Sequence, residues 1–291
     1  MRVACVRHAG ERRVGVVSGD GQSFSPVALS SDQAERGVAA LIGQDLDALD
    51  LLSPLPLSEV ELEAPVPRPD RNLFCVGKNY HAHALEFSRS GFDSSAAQGD
   101  LPSHPIIFSK VPESVVASGA PVLIDPEVST AIDYEAEIAV IIGKGGRGIR
   151  PEDAMGHVWG YTIVNDITAR DLQGRYSQWL IGKSQDTFCP MGPFAVTADE
   201  IDLADTSVIT WVNGEIRQNA NTSDLIFDVP TIISTISAGL TLMPGDIIAT
   251  GTPEGVGIGF KPPKYLRDGD IVRVEISGIG TLENRVKERR A

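Results

Sequence analysis

From residue 72 onward, apolar residues recur in short blocks separated by turn chemistry. "NLFCVG", "PIIFSK", "APVLID", "EAEIAVIIG", "WGYTIVNDI", "GPFAVT", "SVITWVNG", "DIIATG" and "DIVRVEI" each read as a strand, rich in β-branched residues and bounded by Gly, Pro, Asn or Asp. "VNGE", "MPGD" and "RDGD" are turns. Helical patterns are few. "NYHAHALEF" is one and "DITARDLQGRYSQW" a second. "DVPTIISTISAG" is a third, with Asp228 as N-cap, Pro230 in the first turn and Gly239 at its end. Many strands with sparse helices predict an α+β chain that is mostly β, a sandwich, roll or barrel.

The pattern differs before that point. "RVACVRH" and "RRVGVVSGDGQSFSPVAL" predict short strands, and "SDQAERGVAALIG" a helix. "LEAPVPRPDRN" alternates proline with other residues and reads as an extended connector. The expected division is a small N-terminal α+β domain over 1–67 and a main domain over 68–291. Residues 88–104, "SRSGFDSSAAQGDLPSH", read as a long mobile loop.

Composition narrows the partners. Hydrophobic residues make up 42% and charged residues 22% of 291, an ordinary globular balance. The formal net charge of -14 repels phosphate backbones and anionic lipid, so neither nucleic acid nor a membrane is expected as partner. An anionic substrate would need local positive charge or a metal ion. The first residues lack an apolar signal region, and no run is long enough to span a bilayer. Cys5, Cys75 and Cys189 are odd in number and far apart, which fits neither a disulfide framework nor a zinc site. A cytoplasmic setting is the expectation.

"DYEAEIAV", residues 133–140, carries the first chemical signal. Glu135 and Glu137 stand two apart, so in a strand both point to one face. Taken alone, such a pair more often marks an edge strand with one solvated face. Here the other face is apolar, the strand runs on into Ile141 and Ile142, and a second apolar strand ends in Asp166. Asp166 has its own ordinary reading, as cap of a helix beginning near Thr168. Three carboxylates without matching Cys or His suit a hard divalent cation, magnesium or manganese, which would remove their repulsion.

Three further segments carry candidates. His83 and Glu86 are three apart in a helical segment and can meet, which leaves either a surface pair or a histidine base held by a carboxylate. The long loop after Phe87 suggests that this helix moves as a lid. Lys183 in "IGKSQDTFCPMGP" is either a solvated lysine or a cation for a developing oxyanion. It is not part of a phosphate-binding loop, because Ser177 stands where that motif needs glycine. "IIATGTPEGVGIG" is a strand running into a glycine-rich turn, whose N–H groups, with the Thr252 hydroxyl, would suit a carboxylate.

In register, "VGKNYHAHALEF", "PIIFSK", "DYEAEIAVIIGK", "GYTIVNDITARDLQ", "GKSQDTFCPMGP", "VNGEIRQ" and "MPGDIIATGTPEGVG" resemble the fumarylacetoacetate hydrolase family over about residues 72–286. The N-terminal unit resembles the extra domain carried by many bacterial members. The resemblance implies a mixed β-sandwich roll, a homodimer, and magnesium or manganese on Glu135, Glu137 and Asp166. It implies a His83–Glu86 dyad, Lys183 as the active-site lysine, and substrate contacts from Arg170, Gln173 and Thr252. Gln185 departs from the apolar residue usual in the family and is expected to reshape the pocket. The implied substrate is a 2-oxo acid. The implied reaction is metal-dependent hydrolysis of a C–C bond in an acylpyruvate-type 2,4-dioxo acid. The alternative is decarboxylation or keto–enol isomerisation of an oxaloacetate-like or 2-hydroxymuconate-like diacid on the same site. A non-catalytic cation-binding protein ranks below both.

Overall fold

The computed structural model describes residues 1–88 and 101–289. Residues 89–100, most of the expected 88–104 loop, and the lid reading built on them lie outside the described residues. Two sheets dominate. The larger runs in the order Leu55–Pro56, Ser23–Pro26, Glu11–Val17, Arg2–His8, Cys189–Thr197, Val158–Asn165, Ala136–Ile142, Ile247–Ala249, Leu73–Gly77, Ile106–Lys110. The smaller runs Glu215–Asn221, Ser207–Val212, Ile271–Ile276, Gly280–Glu288, Val122–Ile124. Most pairs are antiparallel, but Ile247–Ala249 runs parallel to Leu73–Gly77. Both sheets are therefore mixed or nearly so, and the chain is mostly β, as the strand-rich pattern predicts.

Ala136–Ile142 lies in the centre of the large sheet, and all seven residues are buried. It pairs with Val158–Asn165 on one side and Ile247–Ala249 on the other. This overturns the edge-strand reading. One face, Ala136, Ile138, Val140 and Ile142, enters the core shared with the smaller sheet and the helix Val229–Ser237. The opposite face, Ala139 and Ile141, packs with Val3, Cys5, Val38 and Leu41 from the N-terminal region. Glu135 and Glu137 lie at the head of this second face. Across the expected 67/68 boundary, Arg2–His8 hydrogen-bonds to Cys189–Thr197, so backbone pairing joins the two regions.

Four elements differ from expectation. The helix predicted over residues 31–43 splits into Ser31–Ala34 and a 3-10 turn at Gly37–Leu41. Gly37 has φ +59°, and a Cβ there would lie 2.2 Å from the Pro65 carbonyl, so the chain must turn. The helix predicted from Thr168 begins at Arg170, stops at Arg175 and resumes at Leu180–Lys183. Thr168–Ala169 instead pairs with Ile132–Asp133 as a strand. Glu215–Asn221 and Gly280–Glu288 are strands that their polar sequences hide. The three cysteines are buried and free. Among the described residues, no helix is long and apolar enough to cross a membrane.

Candidate active site

Strand ends and one turn converge on the carboxylates. Glu135 precedes the central strand, Glu137 is its second residue, and Asp166 follows the neighbouring strand Val158–Asn165. Register places Glu137 opposite Val164 and Ala136 opposite Asn165, which brings the three acids to one end of the sheet. One carboxylate oxygen from each lies within 4.8 Å of the others, and all three residues are buried.

The acids are balanced unequally. Lys183 Nζ donates to Glu135 Oε2 at 2.8 Å and to Asp166 Oδ2 at 2.7 Å. Arg170 Nη1 lies 2.6 Å from Glu135 Oε1. Burial alone would raise the Glu135 carboxyl, but the Lys183 and Arg170 charges overcome it and hold Glu135 down to about 2. Glu137 has no cation in direct contact among the described residues, and the Lys183 charge lowers it only in part. It accepts from the Gly251 N–H at 2.8 Å. Burial, with the charges of Asp166 and Glu135, pushes it well above the usual carboxylate range. Lys183 is raised: burial lowers it, and Asp166 and Glu135 more than compensate. A triad acid without a cation in direct contact among the described residues is the feature that a divalent ion would correct, so the donor set fits magnesium or manganese.

Asp166 is not a helix cap. Its two oxygens are taken by Lys110 and Lys183, and the cap position of the next helix is Ala169. Lys110 also donates to the Ile167 carbonyl at 3.1 Å and to the Lys183 carbonyl. Its sequence signal was the lysine ending the apolar run "PIIFSK", and it is the one buried residue of that edge strand.

His83, Glu135, Arg170, Gln173, Lys183 and Thr252 line one pocket. His83 Nδ1 lies 3.2 Å from Glu86 Oε2, whereas His81 is exposed. Glu86 also accepts from the Gly255 N–H, at 3.1 and 3.3 Å to its two oxygens. The pair is thus a buried histidine with its orienting carboxylate, and the surface reading fails. Phe108 and Trp179 complete the apolar wall, and Lys78 is a further lining cation that sequence reasoning missed. Lys78 has φ +54°, a strained conformation for a non-glycine residue and the signal that marks it. Gln185 lines a separate cavity beside Leu172 and Ile181, and it is not among the residues lining this pocket.

The glycine-rich turn binds carboxylates, but they are the protein's own. Gly251 serves Glu137, Gly255 serves Glu86, and Gly257 and Ile258 serve Asp133. The Thr252 hydroxyl accepts from Gln218 Nε2 at 2.8 Å. These turn N–H groups are thus committed to the protein's own acids, while Thr252 stays among the residues lining the pocket.

Comparison with known proteins agrees with this geometry. Residues 72–287 match the family described as fumarylacetoacetate (FAA) hydrolase C-terminal. An oxaloacetate tautomerase, YisK, of Bacillus subtilis (strain 168) is 52% identical over 231 residues, which cover 79% of this chain and 74% of that protein. A fumarylacetoacetate hydrolase from psychrophilic Exiguobacterium antarcticum superposes with a TM-score of 0.84 at 41% identity, covering 99% of this chain and 100% of that one. Maleylpyruvate hydrolase from Sphingobium sp. SYK-6, solved in complex with manganese (II) ion and pyruvate, superposes with a TM-score of 0.76 at 34% identity, each chain fully covered. With the family match spanning most of the chain, and relatives this similar along it, the chain belongs to the fumarylacetoacetate hydrolase family.

Proposed function

We propose that the protein catalyses keto–enol tautomerisation of a short 2-oxo dicarboxylate of the oxaloacetate type. The observation that carries this is the pairing, in one pocket, of a single His83–Glu86 dyad with the cations Arg170, Lys183 and Lys78. Cations suit a dianion, and one base suits a reaction that moves one proton. The 52% identity to an oxaloacetate tautomerase favours the same reading.

Glu86 fixes the imidazole with its proton on Nδ1, which leaves Nε2 as the base. In the keto-to-enol direction, Nε2 takes a proton from C3, the C2–C3 double bond forms, and O2 gains the proton. Mass and charge are unchanged, so water is not a reactant. Lys183 spends two N–H groups on Glu135 and Asp166 and keeps a third for the substrate oxygen. Arg170 Nη2 has no partner among the described residues and can receive a substrate carboxylate. Glu135, Glu137 and Asp166 would hold magnesium or manganese, which when bound supplies Lewis-acid stabilisation of charge on the 2-oxo oxygen. A homodimer is part of the same proposal, on family likeness.

Hydrolysis of an acylpyruvate ranks second. It is favoured by the likeness to maleylpyruvate hydrolase, whose solved complex contains manganese and pyruvate. The deciding experiment strips the protein with chelator, restores Mn2+ or Mg2+, and offers oxaloacetate enol and acylpyruvates in parallel. Metal-dependent loss of enol absorbance without pyruvate or carbon dioxide supports tautomerisation. Pyruvate plus a free acid from an acylpyruvate supports hydrolysis. Carbon dioxide from oxaloacetate moves the reading to decarboxylation.

A further inference from the structure

Asp133 opens the "DYEAE" segment, and nothing above gives it a role in the reaction. It is fully buried, where a carboxylate is costly unless its lone pairs are all answered. They are. Oδ1 accepts from the Tyr134 N–H at 2.9 Å and the Gly257 N–H at 2.6 Å. Oδ2 accepts from the Ile258 N–H at 3.0 Å and from Arg170 Nε at 2.8 Å. Four donors converge, so a side-chain amide of the same shape would turn two N–H groups of its own toward two of them. The turn is built to let this happen. A Cβ on Gly257 would stand 2.7 Å from Asp133 Oδ1.

Arg170 is held on three sides and open on one. Nε is fixed by Asp133, and Nη1 by Glu135 and Gln173. Nη2 is buried in the guanidinium that lines the pocket, without a partner among the described residues. A planar guanidinium fixed at Nε and Nη1 has no freedom to rotate, so the direction of Nη2 is set by those partners. Glu135 is committed to the acidic triad and to Lys183. Among the described residues, Asp133 pairs with no second cation and answers only to Arg170 and the backbone N–H groups around it.

We propose that Asp133 is a positioning residue that aims Arg170 Nη2 at a carboxylate of the substrate, and that it is itself held by the same glycine-rich turn that holds Glu86 and Glu137. The inference rests on the 2-oxo dicarboxylate reading. It makes recognition of the substrate carboxylate depend on a residue that never touches it.

The test is a double-mutant cycle read on KM and kcat for oxaloacetate with Mn2+-loaded protein. Asp133→Asn is expected to raise KM about tenfold or more, with a smaller change in kcat, because a binding interaction is lost. In an Arg170→Gln background, Asp133→Asn is expected to add less than about twofold, since the residue it acts through is gone. A purely structural role predicts the opposite: the two losses multiply, and kcat falls with stability. Should Asp133→Asn fail to fold, Asp133→Glu carries the test, because it keeps both charges while moving the carboxylate off Arg170 Nε. It is expected to raise KM alone and to show the same non-additivity with Arg170→Gln. Multiplying losses for the variant that folds overturn the inference while leaving the tautomerase reading intact. A wild-type protein that neither binds nor turns over oxaloacetate overturns both.

Discussion

Lys110 Nζ lies 2.7 Å from Asp166 Oδ1, and both side chains are fully buried. The lysine ends the outermost strand of the large sheet, and the acid follows a strand near its centre. Lys110→Met leaves Asp166 with Lys183 alone. Removing one partner of a buried pair costs about 3–5 kcal/mol. Unfolding in urea should show that loss. A carboxylate released from its orienting donor also binds metal less well, by about 10–100-fold where comparable supports have been removed. A Mn2+ titration that matches wild type would show that Lys110 serves stability alone.

Glu137 couples metal binding to pH. Burial, then the charges of Asp166 and Glu135, raises its carboxyl well above the ordinary range. The metal-free protein therefore keeps that proton where a free glutamate would lose it, and a cation must displace it. Affinity for Mn2+ should climb with pH, by up to about tenfold per unit while Glu137 stays protonated in the free protein. The stability of the metal-free protein should move the other way. A folded-state pKa above the unfolded value contributes fully below the unfolded value, about 4.3, and the contribution is lost as pH rises toward the folded one. Melting curves with and without Mn2+ should separate further as pH increases. Parallel curves would rule out Glu137 as the coupled group, and Glu137→Gln should flatten both effects.

Glu63 has the reverse sign. Burial pushes its carboxyl up, but hydrogen bonds and charge from Arg12 and Arg7 leave it below the usual value. Arg12 Nε approaches Glu63 Oε2 at 2.6 Å, and Arg7 Nη2 approaches Oε1 at 2.8 Å. A lowered folded-state pKa stabilises above the unfolded value, and that gain disappears as pH falls through the folded one. The melting temperature of wild type minus Glu63→Gln should be steady above about pH 5 and shrink below it. A gap that widens on acidification would contradict this stabilisation of Glu63 by Arg12 and Arg7.

The sequence carried the acidic triad well, because a period of two and a neighbouring strand end bring the three residues together without any knowledge of the turns. His83 and Glu86 were legible for the same reason, one helical turn apart. What the sequence hid was the counter-charge. Lys110 meets Asp166 only through sheet order, and Asp133 meets Arg170 only through the short pairing of Ile132–Asp133 with Thr168–Ala169. That pairing also explains why the expected helix starts late. The glycine-rich turn was visible as an anion-binding backbone, but its anions proved to be Glu86, Glu137 and Asp133, each from a separate element. Long-range partners of this kind have no local period to betray them.

Gly259 gives the sharpest test of the dyad. A Cβ built there would lie 1.8 Å from Glu86 Oε1, too close for any side chain. Alanine must therefore push the Glu86 carboxylate away, and with it the contact to His83 Nδ1. The three heavy atoms nearest that Cβ all belong to Glu86, so the displacement falls on its carboxylate and on the Gly255 N–H bonds it accepts. His83→Ala should lower kcat by about 10²–10⁴-fold, as loss of a general base does. Glu86→Gln and Gly259→Ala should each cost less, about 10–100-fold, the range seen when a carboxylate that orients a functional histidine is lost. Since both act through one contact, the double variant should be no worse than the poorer single. Rates under saturating oxaloacetate and Mn2+ decide it. Full turnover by Gly259→Ala would mean that His83 does not need Glu86, and the orienting role would have to be withdrawn.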